Sequence, residues 1–397
     1  MSLHIGYGGA VKKVKAIYAG VGGAVKKVKA VYGGVSNAVK LLWRGDVLER
    51  ASAPAMTEGK YEPAAAAAGD YAVVLGGGTG SNFRTEDTAT AEAYTAELVH
   101  VADVASLPEP VYTTTRDSNA ASAGNYAIFA GGKRGSWNSF ASGEFQNYTY
   151  AYDNNLNLNT SVAHVGRYAY MGTAQFAGYA VFGGGQRYGS SYTPHDAAKA
   201  YNSNLTVTAL ADLSEARGFP GAAGAGNVLL FVGGKKRSMA DSTAVDIYSA
   251  NLAAQTPIVL SVPADTQTTI AASVSLGGYA LFAGAKSYQG SASKYIYVFN
   301  GAVQTTPIEL DVPLANCAGT AVGGYAVFAG GCNFSSPYNA QSNVIVLNGD
   351  LVQCSAPPLS EARGYLTAVT VGGKAMFFGG TNGSSALGTA DAYSAAN

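Results

Sequence analysis

Asp70-Tyr71-Ala72-Val73-Val74-Leu75-Gly76-Gly77 is the stretch on which the reading of this chain turns. Apolar residues that run on without polar alternation read as a strand buried on both faces. The closing glycine pair lets the backbone leave a sheet where a side chain would clash. The phrase returns at 125–132, 178–184, 227–234, 278–284, 324–331 and 373–380. Its lead positions are Tyr71, Tyr126, Tyr179, Val228, Tyr279, Tyr325 and Lys374. They stand about 50 residues apart, a spacing that marks a repeat architecture rather than separate domains.

Each unit divides into four strands. Strand A precedes the phrase, as at 365–371, and a tight turn such as Gly277-Gly278 or Gly323-Gly324 leads into strand B, the phrase itself. A polar loop follows. Strand C is marked by a tyrosine and a leucine four residues on: Tyr94 with Leu98, Tyr201 with Leu205, Tyr248 with Leu252. Strand D leads onward through Leu213-Ser214-Glu215-Ala216-Arg217-Gly218 or its near copy Leu359-Ser360-Glu361-Ala362-Arg363-Gly364. Seven such units predict an all-β, seven-bladed β-propeller over residues 46–397. The last unit stops on a strand C at 392–397, while 46–53 precede the first strand A without a blade of their own. Residues 46–53 are therefore expected to complete the last blade and cover its open edge.

The pattern resembles the kelch family and the central domain of galactose oxidase. The glycine pair after an apolar strand, the strand C tyrosine and the arginine ahead of strand A carry the likeness over residues 46–397. It implies that the B–C loops share a face with the D–A links and with Arg116, Arg167, Arg217 and Arg363.

Ahead of the propeller, residues 8–21 read GGAVKKVKAIYAGV, residues 22–35 read GGAVKKVKAVYGGV, and SNAVKLLWRG at 36–45 begins a third copy. Glycine pairs every 14 residues and the β-branched content favour short β-units over a helix. The copies resemble short repeats near the N-termini of bacteriophage and prophage tail-associated proteins. That likeness implies attachment to other tail proteins within a virion; a duplicated linker is the alternative. Residues 1–45 are thus a basic extension, with no acidic residue before Asp46 but Lys12, Lys13, Lys15, Lys26, Lys27, Lys29, Lys40 and Arg44. A solvated β-face explains this charge better than a nucleic-acid partner, and none is expected.

The composition agrees with an all-β fold: 51 glycines, 26 tyrosines, 48% hydrophobic and only 13% charged residues. Disorder is excluded by that apolar content. No apolar segment at the start reads as a secretory signal, so synthesis in the cytoplasm is expected, and no run is long enough to insert in a membrane. Cys317, Cys332 and Cys354 are too sparse for a disulfide framework, although Cys317 and Cys332 flank one hairpin and a bridge between them is conceivable.

The B–C loops carry what a sugar or peptide surface requires: aromatic planes that stack, and hydroxyl, amide and guanidinium groups that bond substituents. The expected ligand-binding residues are Arg116, Trp137, Phe140, Arg167, Arg187, Tyr188, Tyr192, Arg217, Phe334, Tyr338 and Arg363. For the repeated arginines the competing role is a structural clamp, hydrogen-bonding carbonyls of the neighbouring blade. Glu215 and Glu361 stand two residues before such arginines, either as local ion pairs or as acid/base groups for a sugar, with a kelch-type sialic-acid epimerase as the model. His4, His100, His164 and His195 occur singly, so no copper site, no other metal and no cofactor is expected. No P-loop, GxSxG, HExxH or EF-hand motif occurs. The reading is a non-catalytic module recognising a surface carbohydrate or protein. Its rivals are a carbohydrate-active enzyme and an intracellular scaffold docking one protein.

Overall fold

The computed structural model describes residues 4–396 apart from 8–9, 14–16, 22–23, 29, 36–37, 45, 82–83, 102–103, 109–118, 135–143, 146, 189–191, 264–266, 286–291 and 334–338. Side chains are described from residue 46 onward, outside 81–87, 102–103, 109–118, 133–146, 188–192, 264–266, 285–291 and 333–338. Every described regular element is a strand.

Seven antiparallel meanders follow one another, each with strand A innermost. Strands A and B are Ala64–Ala68 and Tyr71–Leu75 in blade 1, Ala120–Ala123 and Tyr126–Ala130 in blade 2, and Gly172–Phe176 and Tyr179–Gly183 in blade 3. They are Gly221–Ala225 and Val228–Val232 in blade 4, and Ile270–Leu276 and Tyr279–Ala285 in blade 5. Blades 6 and 7 have Ala318–Val322 with Tyr325–Ala329, and Thr367–Val371 with Lys374–Phe378. The chain is a seven-bladed β-propeller. Strand B is the expected buried run, with Ala72, Val73, Val74 and Leu75 all fully enclosed.

Strand A is built from small residues because seven of them converge on one axis. A Cβ added at Gly221 would lie 2.7 Å from Ile270 Cγ2 of the next blade, and one at Gly224 2.8 Å from Phe176 Cδ2 of the blade before. Hydroxyl groups lace adjacent inner strands together. Ser122 Oγ accepts from Ala67 N at 2.9 Å, Ser275 Oγ accepts from Gly224 N at 2.8 Å, and Thr370 Oγ1 donates to Ala321 O at 2.7 Å.

The A–B turns need glycine for two reasons. Gly372 has a φ of +53°, and a Cβ there would collide with Ala96 Cβ in the C–D turn of blade 1. Gly69 meets Asn154 Cβ of blade 2 in the same way, at 2.8 Å. The leucines expected to mark strand C lie instead in the C–D turn. Leu98, Leu156, Leu205, Leu252 and Leu351 all have φ between +58° and +65°. The residue three before each is a polar turn-former. Asp153 Oδ1 accepts from the backbone N–H groups of Asn155 and Asn157, and Asn202 and Asn348 do the same in their own blades.

Leu48–Ser52 closes the ring as strand D of blade 7, pairing with Ala390–Ala395 in the register Leu48↔Ala395, Arg50↔Tyr393, Ser52↔Asp391. The junction is held beyond the ladder. Val47 N donates to Ser355 O at 2.9 Å, and Arg50 Nη1 donates to Pro358 O at 3.1 Å. Leu48 is fully buried against Val327 and Phe377 in the shared core of blades 6 and 7.

Three hairpins precede the propeller: His4–Tyr7 with Ala10–Lys13, Ile17–Val21 with Ala24–Val28, and Ala30–Val35 with Ala38–Arg44. The innermost pairs Tyr7↔Ala10, Val21↔Ala24 and Val35↔Ala38 bracket Gly8-Gly9, Gly22-Gly23 and Ser36-Asn37. The 14-residue sequence period is therefore a hairpin period, and Ala38–Arg44 of the third copy pairs back on Ala30–Val35. Among the described residues no helix is long and apolar enough to cross a membrane.

Candidate functional site

The two faces of the propeller differ. On one, strands A and B are joined by tight glycine turns. On the other, four of the seven B–C connections rise as two-stranded hairpins: Gly78–Ser81 with Arg84–Asp87, Lys133–Arg134 with Glu144–Phe145, Gln186–Tyr188 with Tyr192–Pro194, and Cys332–Asn333 with Asn339–Ala340. In these four blades the expected polar loops thus start from paired strands. The D–A links enter strand A on this same face, through bridges such as Ala169↔Gln186, Gly218↔Lys235 and Gly364↔Thr381.

Arg217 and Arg363, expected on the binding surface, are fully buried. Arg217 Nη2 donates to Asp246 Oδ2 and, at 3.1 Å, to Phe231 O of strand B; Nη1 donates to Glu215 O at 3.1 Å. Arg363 repeats this with Asp391 Oδ2 at 2.9 Å and Phe377 O at 3.3 Å. A guanidinium with these partners ties the D–A link to strands B and C of its own blade. Both arginines are structural clamps, but on carbonyl and carboxylate groups of their own blade rather than on carbonyls of the neighbouring one. Blade 1 has the same device in other residues. Lys60, fully buried, lies 3.0 Å from Glu92 Oε1, and Thr57 N and Oγ1 donate to Glu92 Oε2 at 2.8 and 2.9 Å. Met56-Thr57-Glu58-Gly59-Lys60 is thus a degenerate copy of the Leu-Ser-Glu-Ala-Arg motif, and that spacing was the available signal.

Burial alone would raise the Glu92 carboxyl, but the Lys60 ammonium and the Thr57 donors together outweigh it and hold Glu92 below the usual carboxylate range. Burial also lowers Lys60, against the pull of Glu92. His100 Nε2 lies 2.8 Å from Glu92 Oε2, so strand D of blade 1 joins the same carboxylate. Arg50 approaches Asp391 in the same manner from the closing strand, at 3.7 Å.

Arg167 is out of register with this motif. Gly132 N donates to Tyr168 O just as Gly185 N donates to Arg217 O and Gly331 N to Arg363 O. Tyr168 therefore occupies the clamp position of blade 3, and Arg167 is left exposed. The glutamates of the motif are also engaged. Glu215 Oε2 accepts from Ser242 Oγ at 2.6 Å, and Glu361 Oε2 accepts from Thr389 Oγ1 at 2.7 Å. Glu215 also pairs with Lys236 at 3.0 Å.

Of the remaining expected site residues, Arg187, Tyr188 and Tyr192 share one hairpin, where Tyr188 pairs with Tyr192 and Arg187 with Thr193. Arg187 is exposed. Arg116, Trp137, Phe140, Phe334 and Tyr338 lie outside the described residues. Cys317 and Cys332 are buried and no disulfide joins them; Asn316 Nδ2 donates to Cys332 Sγ at 3.5 Å. His195 packs against Tyr168 with 4.2 Å between ring centroids and the planes tilted by 47°, and burial, seconded by the Arg187 charge, holds its imidazole below the usual histidine value.

Sequence reading missed the channel mouth. The residue two before strand A takes a left-handed backbone at Glu62, Tyr170, Phe219, Asn316 and Tyr365, with φ between +51° and +59°. This bend turns the chain across the axis. Phe219 N donates to Tyr170 O at 3.0 Å, Tyr365 N to Asn316 O at 2.9 Å, and Glu62 N to Tyr365 O at 3.1 Å. A backbone hydrogen-bonded arc thus runs from blade to blade around the mouth, and all five side chains are buried.

No family model matches the sequence, and a search of curated proteins returns no match. Among solved structures, by contrast, 407 chains match. Among them is the structure of YjhT, at a TM-score of 0.50 and 12% identity, covering 85% of this chain and 96% of that one. At this identity the likeness is one of fold, and it agrees with the seven-bladed ring that the strand order shows.

Proposed function

We propose that the chain is a non-catalytic binding module whose B–C hairpin face recognises a surface carbohydrate or protein. The asymmetry of the two faces carries this reading. Folding needs only short turns between strands, as the A–B side demonstrates, yet in four blades the connection on the other side carries an additional strand pair. Ordered loops on a rigid scaffold are where binding residues concentrate. The hairpin of blade 3 presents exposed Arg187 between Gln186 and Tyr188, and the sequence of the blade 2 connection adds Trp137 and Phe140. A glycan array, run beside capture on whole cells, tests the reading. Trp137→Ala is expected to weaken attachment about tenfold or more with the melting temperature almost unchanged, as for an aromatic anchor worth ~2 kcal/mol. A clear fall in melting temperature with attachment intact would make Trp137 a capping residue and move the site off this loop.

The N-terminal hairpins belong to the same proposal as an attachment segment. Their likeness to phage and prophage tail repeats supports a place among tail proteins, and tail genes on either side of the coding sequence would bear it out. The rival sugar-enzyme reading loses support because Glu215 and Glu361 spend their carboxylates on Ser242, Lys236 and Thr389.

A further inference from the structure

The face opposite the B–C hairpins carries charge of one sign. It is made by the A–B and C–D turns, which touch where Gly372 meets Ala96 and Gly69 meets Asn154. The charged residues of these turns are Asp70, Glu97, Asp153 and Asp350, and no lysine or arginine stands among them. Asp46 joins them at blade 7, where Ser355 Oγ donates to Asp46 Oδ1 at 2.6 Å. The bordering cation is half-buried Lys374, at the start of strand B of that blade. Exposed valines lie beside the acids. Val99, Val303 and Val352 occupy the C–D turns of blades 1, 5 and 6, and each is more than half exposed. In Glu97-Leu98-Val99 and Asp350-Leu351-Val352 an acid and a valine flank the left-handed leucine. The fold does not demand this, because blades 2, 3 and 4 place Asn155-Leu156-Asn157, Asn204-Leu205-Thr206 and Asn251-Leu252-Ala253 at the same point. These turns therefore cluster on blades 5, 6 and 1, around blade 7. Solvent-facing valines gathered with charge of one sign mark a contact surface rather than ordinary scatter.

We infer that this surface, spread over blades 5, 6, 7 and 1, is the docking site of the chain's own N-terminal hairpin segment. The segment joins the propeller in the middle of it: Arg44 ends the third hairpin, and Asp46 lies two residues on. Its charge is the complement, since its lysines and Arg44 are accompanied by no acid. Lys12, Lys26 and Lys40 hold one register position, opposite Ile5, Ala19 and Gly33, so a lysine recurs once per hairpin along the segment. Val11, Val14, Val25, Val28 and Val39 are interleaved with the lysines in sequence, as valine and acid are on the turns. The segment also needs a partner. Each of its hairpins is a sheet of two strands, and none shares a sheet with a propeller strand. Two-stranded hairpins are marginal in water on their own. Tethering decides whose segment is held. A segment fixed at the surface meets it at an effective concentration of about millimolar, which a second copy in dilute solution does not match. Recognition is proposed for the other face, so the inference does not rest on what that face binds.

Limited digestion with trypsin tests this on the full chain, with cleavage inside residues 1–44 measured relative to that of a synthetic peptide of the same residues. At low salt the segment should be cut slowly. At about 0.5 M salt, where surface charges are screened beyond a few ångströms, cleavage should quicken. The combined variant Asp70→Asn, Glu97→Gln, Asp350→Asn should be cut about tenfold faster than the parent chain at low salt, as the loss of three exposed ion pairs predicts. Its propeller should melt at the parent temperature. Val99→Ser with Val352→Ser should act in the same direction with no change of charge. Asp212→Asn, an exposed acid in the D–A link of blade 4, should change nothing. One cleavage rate in the parent chain and in both sets of variants would overturn the inference. So would protection that fades on dilution together with a dimer in sedimentation, because a second copy would then supply the segment. Should the acid variant melt early, the salt series on the parent chain decides, and cleavage indifferent to salt overturns the inference.

Discussion

At the scale of single residues, the buried clamps decide both stability and what the face has left for a ligand. Arg363 and the Ser360 donors converge on Asp391, with Ser360 N and Oγ at 3.1 and 2.9 Å from Asp391 Oδ2. Removing one member strands the other charge in the interior, so Arg363→Met should cost about 3–5 kcal/mol in chemical unfolding. Adding Asp391→Leu should recover part of that loss, because the lone carboxylate is gone. A double variant as unstable as the single one would refute the pairing. Glu92 gives a pH signature. Its folded value lies below the unfolded 4.5, so its stabilisation is complete above that pH and disappears as pH falls through the lowered value. The unfolding midpoint should therefore drop from about pH 5 downward, and Glu92→Gln should flatten that limb. These clamps also show how far residue type is legible. Arg217 and Arg363 stood out by their repeated motif, but Lys60 with Glu92 did not, because the same electrostatics was written in other letters. Arg167 misled for the opposite reason: the letter recurs, but the backbone bond from Gly132 to Tyr168 sets the register.

At the scale of elements, the turns and the closing strand can be separated by experiment. Gly372 and Gly373 are adjacent, with φ of +53° and +74°, but only Gly372 faces a neighbour, Ala96, while the space around Gly373 is open. Gly372→Ala should lower stability more than Gly373→Ala, whose cost is confined to the backbone, roughly 1–2 kcal/mol. Equal losses would mean that the turn does not pack on the next blade. For closure, deletion of residues 1–53 should leave blade 7 without its strand D and reduce the soluble yield far below that of a 1–40 deletion. Equal stability of the two truncations would contradict the pairing of Leu48–Ser52 with Ala390–Ala395. Strand B, with its apolar run and glycine pair, was legible because burial on both faces removes polar residues altogether. The closing strand was legible by counting, since one blade lacked a fourth strand. The C–D leucines were misplaced because a left-handed leucine has no signature of its own. Only the Asp, Asn, Ser or Thr three residues earlier betrays the turn.

At the scale of the whole molecule, the ring of blades supplies rigidity, and the proposed recognition lies on the hairpin face. The left-handed backbone at the channel mouth was invisible in sequence, since Glu62, Tyr170, Phe219, Asn316 and Tyr365 share no one residue type that marks it. It emerges only when the blades are brought around one axis. Hydrogen exchange, compared with and without a bound glycan or captured surface protein, tests the central claim of a one-sided binding face most directly. New protection is expected in the hairpins at Gln186–Tyr188, Tyr192–Pro194 and Cys332–Asn333, with the A–B turns at Gly69, Gly124 and Gly372 unaffected. Protection at those turns with the hairpins unchanged would place recognition on the opposite face and contradict the account.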